Sequence, residues 1–367
     1  MYNSLSPGPE GSVLARPLPV KRRSARPSGT RIAAIAVSDS EHTLSQEQVL
    51  AHLGLSGDEF SERIFARCGV ERRHLDLRED FLTDGLHART PRIEAALLEH
   101  AIRAVDALGV DPLKLGTVVS ATLYSLGCPP LANRLVDHYG MAPTTDKYHL
   151  TGVACASGVP LMRLTAKALR DHPGRDALIV AAESMSGLMS PAAPDDPRAK
   201  VIGAAIFGDG CAAAVLSDDP AAEGPVILDS QVHQIADTLE VVSMGLAGEH
   251  SYLHLARELP FIAGAALGEV ADRFLAANDL ERSAIDHWIV HPGGRRIIEN
   301  VQEALGLTSD DVALSWAALA DHGNVGTPSI FYVLKDTIEQ RGPARGEHGL
   351  MVTIGPGVTV GLMLLGW

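Results

Sequence analysis

One cysteine stands among small residues in Thr151-Gly152-Val153-Ala154-Cys155-Ala156-Ser157-Gly158. The residues before it (His149 to Ala154) read as a strand, and those after it (Gly158 to Asp171) as an apolar helix. A thiol at a helix start lies in the positive end of the peptide dipole, which favours the nucleophilic thiolate. Small neighbours leave the backbone amides open to a substrate carbonyl. The plain alternative is a core thiol, because free cysteine is among the most buried residue types. This segment alone does not separate the two. A hydrolase nucleophile elbow requires glycine two positions either side of the nucleophile. Val153 and Ser157 occupy those places, so that chemistry is excluded.

Two other segments place polar side chains at element ends. In His287-Trp288-Ile289-Val290-His291-Pro292-Gly293-Gly294-Arg295, His291 closes an apolar strand just before a turn. Ligand-facing residues emerge at strand ends in layered α/β folds, although a hydrogen-bonded structural histidine fits there as well. In Asp321-His322-Gly323-Asn324-Val325-Gly326-Thr327, Asn324 precedes a helix, and asparagine there commonly makes only a turn or a cap. His250 and His254 stand four apart, as a metal-binding pair would, but no third ligand accompanies them at a recognisable spacing. No metal site is expected.

The elements that must hold these residues alternate along the chain. Leu115 to Thr122, Ala177 to Glu183 and Ala204 to Ser217 read as core strands, and Leu131 to Tyr139 as a helix. A second series contains strands at Pro225 to Val232, His287 to Val290, Leu350 to Gly355 and Val358 to Trp367. Its helices are Pro260 to Ala276, Arg295 to Leu305 and Thr327 to Gln340, with Pro328 tolerated in the first turn. The rhythm is that of a layered α/β protein, in two related halves at 30–220 and 221–367. Residues 1–29 are rich in Pro, Ser, Gly and Arg with no sustained apolar run, and read as a disordered tail without a secretory signal.

Composition removes several function classes. A formal charge of −14 argues against a nucleic-acid partner, which needs a basic face. The longest apolar runs are far too short to span a bilayer. Four cysteines (Cys68, Cys128, Cys155, Cys211) without CxxC spacing read as reduced thiols in the cytoplasm.

Taken in order, Cys155, Phe207-Gly208-Asp209-Gly210, His291-Pro292-Gly293-Gly294, Gly323-Asn324 and Gly355-Pro356-Gly357-Val358-Thr359 resemble the type III polyketide synthases, the chalcone-synthase-like family. The resemblance covers about residues 30 to 367. It implies an α/β thiolase-like fold of two fused αβαβα halves and a homodimer without metal or redox cofactor. The implied reaction is iterative decarboxylative condensation of malonyl-CoA on an acyl-CoA or malonyl-derived starter, followed by ring closure. Cys155 would carry the acyl chain, with His291 and Asn324 as oxyanion hole and imidazolium holding the thiolate.

Further roles follow from the same resemblance. Phe207 matches an aromatic gatekeeper, and Leu253 stands where a second gate aromatic is usual. Gly326 replaces a small hydroxyl residue lining the cavity, so both changes are expected to enlarge it. Arg63 and Arg67, four apart on one helix face, match cations on the CoA phosphates, while Phe60 replaces a third. Cys128 matches a residue that family dimers push into the partner's cavity, and a simple buried cysteine is its alternative. The chain's start and end are most similar to bacterial members such as the dihydroxyphenylacetyl-CoA synthases. Two other readings are a single-condensation enzyme like the β-ketoacyl-carrier-protein synthases III and a non-catalytic thiolase-fold partner subunit.

Overall fold

The computed structural model describes residues 29–77, 84–125, 127–191, 198–247, 250–256 and 259–367. The tail, apart from Gly29, lies outside the described residues. The strands are β1 (Arg31–Asp39), β2 (Thr43–Ser45), β3 (Arg72–His74), β4 (Thr117–Thr122), β5 (Asp146–Thr151), β6 (Ala177–Glu183) and β7 (Gly210–Ser217). They continue as β8 (Val226–Gln234), β9 (Val242–Ala247), β10 (His250–Leu255), β11 (His287–Val290), β12 (His348–Gly355) and β13 (Thr359–Gly366). The helices are α1 (Gln46–His52), α2 (Glu59–Arg67), α3 (Leu86–Ala107), α4 (Leu131–His138), α5 (Gly158–Ala168) and α6 (Arg198–Ile206). After them come α7 (Leu259–Ala276), α8 (Arg295–Leu305), α9 (Ala313–His322) and α10 (Ser329–Asp336).

Nine strands are hydrogen-bonded in the order β11-β12-β13-β8-β1-β7-β6-β4-β5. The order contains one pattern twice. β1 pairs antiparallel with β7, β7 with β6, and β6 parallel with β4. Likewise β8 pairs antiparallel with β13, β13 with β12, and β12 parallel with β11. In the sheet the two sets join at the Arg31–Val226 pairing of β1 with β8.

Side chains alternate across a strand, and here each face finds its own core. Along β6, Leu178, Val180 and Ala182 pack with Ile93, Leu97 and Ala101 of α3. Ile179 and Ala181 point the other way, to a core that includes Val159 and Met162 of α5 and Ile330 and Val333 of α10. That central core also takes Met351 and Met363 of the second set, whereas Leu350, Val352 and Leu362 face Val270 and Phe274 of α7 and Ile298 of α8. The layers therefore run helix, sheet, helix, sheet, helix. In the middle layer α5 and α10 lie very close, since a Cβ on Gly158 would stand 2.6 Å from Ile330 Cγ2.

Two expected elements are corrected. Ala204 to Ser217 is not one strand: Ala204 to Ile206 end α6, and β7 starts only at Gly210. The intervening Phe207-Gly208 backbone leaves the strand path to bond the Asn324 turn, with Asn324 N–H donating to Ile206 O (2.6 Å) and Gly208 N–H to Asn324 O (3.1 Å). The helix expected to run to Gln340 has α geometry only to Asp336, then widens into a π turn at Thr337–Arg341.

Candidate active site

Cys155 occupies a short 3-10 turn, Ala154–Ala156, between β5 and α5. The turn needs unusual backbone: Gly152 has φ 78° and Ala154 φ 49°, a region that residues with side chains rarely enter. The Gly355-Pro356-Gly357 turn between β12 and β13 lies against it. A Cβ on Gly355 would stand 2.4 Å from Ala156 N, so only glycine permits this approach.

Asn324 reaches the same place from the other side, on the turn joining α9 to α10. Its Oδ1 accepts a hydrogen bond from Gly326 N–H (2.9 Å). Nδ2 donates to Gly293 O (3.1 Å) and lies 3.6 Å from Cys155 Sγ. The amide is thus oriented before any substrate arrives. His291 follows β11, with its N–H donating to Val352 O (2.9 Å). The residue is 1% exposed, and neither ring nitrogen has a hydrogen-bond partner among the described residues.

Cys155, His291, Asn324 and Phe207 line one cavity of about 120 Å³, whose remaining wall is largely apolar, including Leu123, Ile206 and Ile354. Burial governs its electrostatics. It pushes the Cys155 thiol up to about 11, opposed by the hydrogen bond to Asn324, and pushes His291 down to about 3. Burial therefore opposes the thiolate that the helix start favours.

Three buried ionisable residues support this arrangement, and only Asp209, inside the Phe207–Gly210 motif, was visible in the sequence. Arg73, fully buried, donates through Nη1 to Ala204 O and to Phe207 O (2.9 Å), and through Nη2 to Gln46 Oε1 (2.6 Å). It thereby caps α6 and fixes the backbone that carries Phe207. Asp209 accepts from Ser186 N–H (2.8 Å), Ser186 Oγ (2.5 Å) and Asp76 N–H (3.0 Å). Glu183 ends β6 and accepts from Leu123 N–H (2.8 Å); burial pushes its carboxyl up to about 8. The available signal was a lone Glu closing an otherwise apolar strand.

The other expected site residues separate. Gly326 does not line the cavity. Its φ is 68°, and a Cβ there would stand 2.9 Å from Met185 Cε and 3.1 Å from Glu183 Cγ. The enlarged-cavity reading of Gly326 is therefore corrected: the residue is glycine for its backbone and its neighbours. Cys128 is exposed, which removes the buried-thiol alternative. Arg63 and Arg67 are exposed on α2, away from the cavity wall, with Arg63 over the Phe60 ring at 5.9 Å. Leu253 pairs with Met244 in the β9–β10 ribbon; its side chain, and with it the gate reading, lies outside the described residues. The same strand carries His250 and His254. Their side chains likewise lie outside the described residues.

The layers and the cavity between the two halves define a thiolase-like fold. The crystal structure of PKS-I from the brown alga Ectocarpus siliculosus is similar, with a TM-score of 0.83 at 25% identity, covering 92% of this chain and 98% of that one. Residues 37–238 match the family model described as FAE1/Type III polyketide synthase-like protein, and residues 228–366 match that of the chalcone and stilbene synthases, C-terminal domain. A 3,5-dihydroxyphenylacetyl-CoA synthase of Amycolatopsis balhimycina is 29% identical over 92% of this chain and 93% of its own length. A 1,3,6,8-tetrahydroxynaphthalene synthase of Streptomyces peucetius subsp. caesius is 27% identical over 92% and 93%. The chain belongs to the type III polyketide synthase family. It is an acyltransferase that condenses CoA thioesters.

Proposed function

We propose that Cys155 carries the growing acyl chain while His291 and Asn324 stabilise the oxyanions of malonyl-CoA condensation. The observation that carries this reading is the Asn324 amide, fixed 3.6 Å from Cys155 Sγ in the cavity that also holds His291. In the first step the unpartnered imidazole takes the Cys155 proton, and the thiolate attacks the starter thioester. CoA leaves with that proton, and the acyl group stays on sulfur. Malonyl-CoA then loses CO2, and its enolate oxygen receives hydrogen bonds from Asn324 Nδ2 and the neutral His291 N–H. The enolate carbon attacks the Cys155 thioester, which returns the lengthened chain to CoA. The steps are redox-neutral and use CoA thioesters as substrates, so they call for no redox cofactor.

Phe207, on the cavity wall beside Asn324, would gate the passage between CoA and the chamber. Arg63 and Arg67, exposed cations in a chain of net charge −14, would meet the CoA phosphates. A homodimer is supported by β5, which forms one end of the nine-stranded sheet and exposes Tyr148. A cytoplasmic location is supported by four free cysteines, and among the described residues no helix is long and apolar enough to cross a membrane. The names of the relatives point to a small hydroxylated aromatic product, and a cavity of about 120 Å³ suits one.

The test is incubation with malonyl-CoA and a panel of acyl-CoA starters, with products read by mass spectrometry. Several condensations and a ring product from free CoA esters are expected. A requirement for acyl carrier protein, or a single condensation, would support the β-ketoacyl-carrier-protein synthase alternative. Failure to decarboxylate malonyl-CoA would support a non-catalytic partner subunit.

A further inference from the structure

Behind the Asn324 turn, away from the cavity, lies a second polar cluster that the condensation does not use. Asp39 ends β1, His74 ends β3 and His322 ends α9. One ligand atom from each falls within 4.8 Å of the other two. His322 Nδ1 is 3.1 Å from Asp39 Oδ1, and His74 Nε2 is 3.9 Å from Asp39 Oδ2. A tetrahedral ion with ligands at about 2.0–2.1 Å separates its ligand atoms by about 3.3 Å, so small side-chain shifts would close this set on one ion.

The outer contacts favour that use. His74 Nδ1 is 3.2 Å from the Ser40 carbonyl oxygen, which can only accept. Thr43 Oγ1 lies equally close to Nδ1 (3.2 Å) and can accept as well as donate, so a proton on Nδ1 serves both contacts and leaves the Nε2 lone pair toward Asp39. A carbonyl or carboxylate behind a ligating histidine is the usual means of fixing its tautomer. Arg103 is directed to the Asp39 carbonyl oxygen, Ser38 Oγ, His100, Glu41 and Glu99 and leaves the Asp39 carboxylate to the two histidines and Tyr332. Tyr332 Oη donates to Asp39 Oδ1 (2.9 Å) and bounds the site on the buried side. The three side chains keep 17–25% of their surface exposed, enough for an ion to enter and for water to hold a fourth position.

We propose that Asp39, His74 and His322 form a binding site for one divalent transition-metal ion of the Zn2+ class. Two imidazoles and one carboxylate suit such ions, whereas Mg2+ and Ca2+ need mostly oxygen ligands. The ion would clamp β1, β3 and α9 together two residues before Asn324. It takes no part in the condensation, so failure of this site would leave the proposed function untouched.

The test uses the full chain, stripped with a chelator and dialysed, with Zn2+ alone as the probe. Calorimetry is expected to show one ion per chain and a Tm several degrees higher, with no response to Mg2+. Substituting Co2+ should give the visible absorption of four-coordinate cobalt. His74→Ala and His322→Ala should each weaken binding at least about 100-fold while circular dichroism confirms folding. Should a variant fail to fold, the cobalt spectrum and stoichiometry of the wild type still decide. Binding below one equivalent, an octahedral cobalt spectrum, or affinity unchanged in both folded variants would overturn the assignment.

Discussion

The two halves share a strand pattern, yet they reach the cavity by different routes. In the first half a fifth strand, β5, runs along the sheet edge and delivers the Cys155 turn to α5. In the second, among the described residues, no strand follows β11 beside it; α9 takes that stretch of chain and delivers Asn324 to α10. Both turns sit at the head of a central helix and both need positive φ, at Gly152 and Ala154 on one side and at Gly323 and Gly326 on the other. The difference assigns the chemistry. The strand-fed turn presents a thiol, and the helix-fed turn presents an amide oriented by Gly326 N–H, with Nδ2 at 3.6 Å and Oδ1 at 3.8 Å from the sulfur.

The comparison is broken most severely by removing the thiol. Cys155→Ala should abolish condensation without loss of fold, and the starter-derived mass should vanish from the 155 peptide. Activity surviving in that variant would move the nucleophile elsewhere. Next in size is the pairing of Cys155 with His291. A protonated imidazole favours the thiolate and lowers the pH at which it forms; without it only burial remains, which favours the thiol. His291→Ala should therefore shift the midpoint of iodoacetamide labelling to higher pH. An unchanged midpoint would show that the two do not share a proton.

A smaller effect compares the two turns directly. Ala154 already carries a methyl at φ 49°, whereas Gly326 at φ 68° would drive one into Met185 and Glu183. Gly326→Ala should cost about 1–3 kcal/mol, seen as a fall in Tm with an unchanged product profile. Ala154→Gly should change stability by less than about 1 kcal/mol. A product shift without a fall in Tm would restore Gly326 to the cavity. Smallest is the surface pair: replacing Arg63 and Arg67 by Ala should raise KM for CoA esters, more so at low salt, while sparing short N-acetylcysteamine thioesters. An unchanged KM at low salt would take the pair out of CoA binding.

Much of this was legible before the structure. Ala177 to Glu183 and His287 to Val290 coincide with β6 and β11 because apolar runs bounded by turns have only one reading at that length. Ala204 to Ser217 misled because small apolar residues satisfy helix and strand periods alike, and only the bonds to Asn324 decide where the chain turns. The 22-residue α3 went unread because Arg89, Glu94 and His100 interrupt its apolar stripe, although all three are buried. Cys155, His291 and Asn324 stood out at element ends, and only the ordered resemblance joined them to one another and to Phe207. Arg73 and Glu183 did not stand out, since nothing local tells a buried charge from a solvated one. Gly326 was misplaced for a related reason: sequence gives the residue but not its φ.

The central claim is that one half holds the acyl chain while the other stabilises charge. It is tested most directly in Asn324→Ala, by following Cys155 acylation by intact mass and CO2 release from malonyl-CoA in the same samples. Loss of the amide donor should slow decarboxylation by roughly 10²–10³, with acylation of Cys155 slowed far less. Equal, small effects on both half-reactions would contradict the claim and return Asn324 to the role of a turn residue.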